Sequence, residues 1–132
     1  MVRGARPAGT PFDDGPVGGV ARRDPELIRF GTSGWRGVLG EVVTFPRLRT
    51  LARATASWLR EQAESRRVLV GYDTRFASGA MAEETARVLA EEGFRPQLTS
   101  GPVPTPVLTH AIRRRRVAGG VMLTASHNPP EY

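Results

Sequence analysis

Arg67-Val68-Leu69-Val70-Gly71-Tyr72 is apolar almost without interruption, and it gives way at once to the polar Asp73-Thr74-Arg75. A strand with one wet face alternates. A strand this continuous needs cover on both faces, which is the habit of parallel strands between layers of helices. The flanking segments fit. Thr44 is a reasonable N-cap and Pro46 falls early in a first turn, where its missing N–H does no harm. Leu48, Leu51, Ala52, Thr55, Leu59 and Gln62 then recur on one helical face, so a helix is predicted over 46–65, with Trp58 beside the stripe as core packing. After the apolar strand, Ser78 is placed to cap a helix over 79–92 whose inner face is Met81, Thr85, Val88 and Leu89, with Gly93 as its left-handed stop. Phe94 to Leu98 reads as a second strand. A third helix over 105–115 would use Val107, Leu108, Ala111 and Ile112, and Gly119 to Thr124 reads as the next strand.

Leu27-Ile28-Arg29-Phe30 is a further short strand candidate, and Val38-Leu39 with Val42-Val43 adds an extended piece around Gly40. Strands alternating with helices of this length specify an α/β layered sheet. Residues 1–26 differ: Gly and Pro recur, apolar residues are isolated, and no period appears. That composition predicts a disordered arm ahead of a unit over 27–132. The chain stops two residues after a Pro-stiffened loop, which suggests a fragment.

Composition narrows the chemistry. Without cysteine there is no disulfide framework, zinc–thiolate site, iron–sulfur cluster or thiol nucleophile. All 19 basic residues are arginine, which removes lysine bases and Schiff bases; G+C-rich codon usage is the plain explanation. No apolar stretch approaches the roughly 20 residues of a membrane-spanning helix, and the N-terminus lacks the apolar core of a secretory signal. A cytoplasmic protein is expected. The run Arg113 to Arg116 suits the dipole at a helix C-terminus. It has no interleaved aromatic residue, so nucleic acid is not an expected partner.

In open α/β sheets, ligands gather outside the carboxyl ends of the strands. Three polar loops fall there: Gly31 to Gly37, Asp73 to Ser78, and Thr124 to Asn128. Ser126, His127 and Asn128 supply a hydroxyl, an imidazole and a carboxamide. Serine needs an assisting base or metal to act as a nucleophile, and His127 can relay a proton only if the turn folds it back. Gly31, Gly34 and Gly37 allow backbone N–H groups near an anion, beside Thr32, Ser33 and the forked donors of Arg36. Asp73 reads as a structural cap that pairs with Arg75. No cluster has the spacing of a metal site.

RFGTSGWRG (29–37), VLVGYDTRF (68–76), GPVPTPVLTHAI (101–112) and GGVMLTASHNPPEY (119–132) together resemble the α-D-phosphohexomutases, the phosphoglucomutase/phosphomannomutase family. The resemblance covers essentially all of 27–132 and implies the first of four domains, with a three-layer α/β/α fold and a mixed, mostly parallel sheet. It further implies an isomerase acting by intramolecular phosphotransfer, interconverting hexose 1- and 6-phosphates through a bisphosphate. Ser126 matches the serine that carries the phosphoryl group, and His127 the histidine beside it. Thr32, Ser33 and Arg36 match the loop lining the cleft, and Asn128 lies in the phosphoserine loop as a further substrate contact. A Mg2+ ion would meet the phosphate on Ser126, its other ligands coming from an Asp-rich loop of domain II. The family's nearby lysine and its domains II–IV lie outside this sequence. The chain alone is therefore expected to lack turnover. The alternative is a non-catalytic α/β module that binds phosphosugar or a protein partner.

Overall fold

The computed structural model describes residues 28–132. The predicted arm over 1–26, and Leu27 of the first strand candidate, lie outside the described residues. Three helices and three strands alternate: α1 (Phe45–Gln62), β1 (Arg67–Tyr72), α2 (Ser78–Glu91), β2 (Arg95–Leu98), α3 (Thr105–Arg115) and β3 (Gly119–Leu123).

β1 is the central strand, in the order β2-β1-β3. Both pairings are parallel, so the described sheet is the parallel limit of the mostly parallel sheet expected. Val68, Leu69, Val70 and Gly71 are all buried, as the unbroken apolar run requires. Val68 and Val70 pack with Ala56 and Leu59 of α1, Ala82 and Leu89 of α2, and Phe94. On the opposite face, Gly71 and Gly120 lie under Leu108 and Ile112 of α3. This makes three layers. The chain moves from β1 to β2 on one side, then crosses back past β1 to β3. Right-handed crossovers running in opposite directions place their helices on opposite faces, and α2 and α3 are so placed.

The layers touch closely at Gly120, where a Cβ would stand 2.6 Å from Ile112 Cδ1 and 3.0 Å from the Leu69 carbonyl oxygen. The backbone atom cannot rotate away. Gly120→Ala is expected to cost about 1–3 kcal/mol in urea unfolding, as overpacked cores do.

Helix ends follow local chemistry. Thr44 caps α1, its side chain accepting from the Arg47 amide, and Gly93 stops α2 at φ 85°. Glu84 on α2 accepts from Arg87 and from Arg49 of α1, and those bonds hold its carboxyl down at about 2.

Four expectations are corrected. Residues 28–30 form no strand; Gly31 and Gly34 close a tight turn on each other, and Phe30 is 62% exposed. Ser78 does not cap α2: the N-cap is Ala77, left-handed at φ 61°, because the Ser78 hydroxyl donates to Asp73 instead. Trp58 is 59% exposed, since the buried stripe of α1 is Leu48, Ala52, Ala56 and Leu59, one helical face away. On α3 only Leu108 is buried, and Val107 faces out.

Candidate functional site

The reversal of strand order places a crevice at the carboxyl ends of β1 and β3, the usual ligand position in such sheets. A cleft of about 790 Å³ lies between the N-terminal loop, α1 and β3, running along β3 from Gly120 to the loop beyond its carboxyl end. Ser126, Asn128, Ser33 and Arg36 reach its wall, as do Trp58 and Phe76. Phe76 is 86% exposed.

Ser126 sits at φ 52°, in the left-handed region, as one of three non-glycine residues there among the described residues. That conformation costs an L-residue roughly 1–2 kcal/mol, so neighbouring contacts must hold it. The turn brings His127 back onto the serine: Ser126 Oγ and His127 Nδ1 are 3.2 Å apart. With Nδ1 unprotonated, the hydroxyl donates to it. Both side chains are exposed. The Ser126 amide donates to Thr124 Oγ1 at 3.0 Å, and the Asn128 amide to the Ala125 carbonyl at 2.9 Å.

The loop after β1 supports this turn. Asp73 Oδ1 accepts from the Ser78 hydroxyl at 2.6 Å and the Arg75 amide at 2.9 Å, while Oδ2 accepts from the Ala125 amide at 3.1 Å. Asp73 is therefore a structural anchor, as expected, although it meets Arg75 through the backbone amide. The Arg75 guanidinium donates to three carbonyls of the serine loop: Ser126 at 3.2 Å, Asn128 at 2.6 Å and Pro129 at 3.1 Å. Arg75 is the site residue that sequence reasoning missed. Its partners lie more than 50 positions away, and only its place after a buried strand hinted at it.

Burial pushes the Asp73 carboxyl up. Hydrogen bonds from Ser78, the Arg75 amide, Thr124 and the Ala125 amide outweigh it, and the group rests below its ordinary value. Its stabilising contribution is thus complete above the unfolded carboxyl pKa of about 3.9 and is lost as pH falls through the lower folded value. Thermal unfolding midpoints should drop below about pH 4. Glu84 titrates in the same acid range, so Asp73→Asn should flatten only part of that drop. An identical acid profile for the variant would contradict the assignment.

The N-terminal loop docks beside the serine. Arg36 Nη1 donates to Asn128 Oδ1 at 3.4 Å, and the Leu39 amide to the Glu131 carbonyl at 2.8 Å. Its glycines serve contacts within the chain. The amides of Gly31 and Gly34 donate to each other's carbonyls, so neither cradles an anion. A Cβ on Gly37 would sit 2.3 Å from Val42, so that close approach excludes any larger residue. Thr32 lies in the exposed turn and does not line the cleft.

Among the described residues, no three His, Asp or Glu side chains converge on a metal position. The Arg113 to Arg116 run is exposed at the end of α3. No helix among the described residues is long and apolar enough to cross a membrane.

Residues 27–132 match the family model described as phosphoglucomutase/phosphomannomutase, alpha/beta/alpha domain I. Similar curated proteins include a phosphoglucomutase of Staphylococcus saprophyticus, 36% identical over 80% of this chain and 20% of that one. A phosphoglucosamine mutase of Synechocystis sp. is 39% identical over 81% of this chain and 22% of that protein. A crystal structure described as a phosphomannomutase from Thermus thermophilus superimposes with a TM-score of 0.75 at 49% identity. That match covers 79% of this chain and 24% of the other. The chain thus spans about a fifth to a quarter of the length of the proteins it matches.

Proposed function

The chain belongs to the phosphoglucomutase/phosphomannomutase family as its alpha/beta/alpha domain I, and from that premise we propose that it carries the phosphoryl-donating serine of a hexose-phosphate mutase. Ser126 is the acceptor and donor. In one direction the hexose hydroxyl oxygen bonds to phosphorus and gives up its proton to a base, the bond from phosphorus to Ser126 Oγ breaks, Oγ takes a proton from His127, and a sugar bisphosphate forms. In the return step Ser126 Oγ attacks the bisphosphate's other phosphate, the bond from that phosphorus to the sugar oxygen breaks, the serine proton passes to His127 Nδ1, and the freed sugar oxygen takes up a proton to become a hydroxyl. Arg36, Ser33 and Asn128 hold the sugar phosphate at the cleft wall, and Thr32 belongs to the same loop.

The observation that carries this reading is the pairing of Ser126 and His127 at 3.2 Å, on a left-handed turn at the sheet's switch point. Phosphoryl transfer depends on positioning and charge stabilisation more than on covalent chemistry, and a braced, exposed hydroxyl suits it.

A phosphate on Ser126 would offer one oxygen to Mg2+. The described residues do not complete a shell for the ion, so they do not fit the metal by themselves. Domains II–IV of a whole mutase would supply the remainder, and the family's nearby lysine, outside this sequence, the base that deprotonates the sugar. The 132-residue chain is therefore expected to show no hexose-phosphate turnover with Mg2+ and a sugar bisphosphate.

A chimaera tests the assignment. Residues 27–132 replace the matching segment of a full-length family mutase. Mass spectrometry should find phosphate on Ser126 after incubation with a hexose bisphosphate, and the chimaera should interconvert hexose phosphates. A folded chimaera phosphorylated elsewhere, or nowhere, would refute the role of Ser126.

A further inference from the structure

We infer that Arg75 is a positioning residue, which holds Ser126 in its left-handed conformation by gripping the carbonyls of the serine loop. The catalytic significance of that grip rests on the reading of Ser126 given above; the grip itself does not.

An arginine beside a phosphoryl-carrying serine invites the reading of a phosphate ligand. The geometry assigns it differently. Nη1 and Nη2 are directed to the carbonyl oxygens of Pro129, Ser126 and Asn128, at 3.1, 3.2 and 2.6 Å. These acceptors flank the left-handed residue on its C-terminal side, where the chain must turn so that Nδ1 of His127 meets Oγ. The strain at Ser126 is local, and the guanidinium supplies three bonds against it. Hydrogen bonds from a charged donor contribute more than neutral ones.

The grip is anchored at both ends. Asp73 fixes the Arg75 amide through Oδ1 and the Ala125 amide through Oδ2, so one carboxylate spans the base of the arginine and the start of the serine loop. Asp73 in turn follows β1 directly, and its amide donates to the Leu123 carbonyl at 3.0 Å. The most buried strand therefore sets the position of the most exposed reactive group. Arg36, by contrast, is exposed on the cleft wall with a single long bond to Asn128, and it is the arginine suited to meet an incoming phosphate.

The chemistry requires arginine. Lysine presents a point charge on one nitrogen, whereas the planar guanidinium reaches separate acceptors in a fixed fork. Three carbonyls spread over Ser126 to Pro129 need the fork.

Amide hydrogen exchange on the full 132-residue chain, without substrate, tests the inference. Arg75→Ala should speed exchange at the Ser126 and Asn128 amides by about tenfold or more, the loss of at least one charge-assisted bond. Amides of β1 should change by less than about twofold, because the core is untouched. Arg75→Lys should recover only part of the protection. Three outcomes would overturn the proposal: unchanged loop exchange in Arg75→Ala, full protection in Arg75→Lys, or equal acceleration in β1. Exchange of Ser126 and Asn128 at the free-peptide rate in the unaltered chain would overturn it too. In the chimaera, Arg75→Ala should lower kcat while leaving KM within about threefold, the pattern of a lost transition-state arrangement. An inactive chimaera whose loop exchange nonetheless responds to Arg75 would count against Ser126 as phosphoryl carrier and leave the grip standing.

Discussion

Ser126→Ala in the chimaera is expected to lower hexose-phosphate interconversion by about 10⁴-fold or more, since removing the nucleophile of a covalent mechanism leaves only binding and electrostatics. The backbone complicates that variant. Alanine at φ 52° keeps the strain of an L-residue and loses the bond to His127. Ser126→Gly separates the two effects. Glycine accepts the left-handed conformation at no steric cost, so this variant should fold as well as the parent. It should be as inactive as the alanine variant, because neither has an oxygen to phosphorylate. Steady-state turnover, with mass spectrometry for the phosphate, reads both. Activity in Ser126→Gly above about a hundredth of the parent would mean that the phosphoryl group travels by another route.

The second large effect is on stability. Leu89 is fully buried and packs in the cluster formed by Val68, Val70, Ala56 and Phe94. Leu89→Ala should cost about 2–5 kcal/mol, the transfer term plus the cavity left behind. Against a total of roughly 5–15 kcal/mol for a domain, that is enough to shift a urea midpoint strongly. Val107→Ala, on the exposed side of α3, should change stability by less than about 0.5 kcal/mol. Circular dichroism during urea titration measures both. Equal effects at the two positions would mean that Leu89 is not a core residue in solution.

Ser126 and Leu89 stand at opposite ends of one arrangement, and the sequence disclosed those ends unequally. The helices and β1 were legible because their burial repeats at fixed intervals: Met81, Thr85, Val88 and Leu89 are the inner face of α2 as their spacing requires. Spacing cannot tell which side of a stripe meets a layer and which meets a cleft. Hence Trp58 reads as core in the sequence and stands exposed on the cleft wall. Ile28 to Phe30 has the composition of a strand, but pairing depends on a neighbour, and the Gly31–Gly34 turn closes on itself.

The residues of the candidate site divided in the same way. Ser126, His127 and Asn128 are adjacent, so a single loop displays them, and Arg36 follows from its own loop. Ser78 carries a capping signature, yet a carboxylate five residues earlier takes its hydroxyl. The grip of Arg75 spans 51 to 54 positions, and no local pattern records a contact of that range. Topology makes it possible: β1 and β3 are neighbours, so the loops that leave them meet.

β3 has a further consequence. Among the described residues it pairs with β1 on one side only, and its outer edge offers a row of unpaired backbone groups. Such edges recruit other strands. The amides of β3 should therefore exchange faster than those of β1, which pairs on both sides, and amide hydrogen exchange reads the difference.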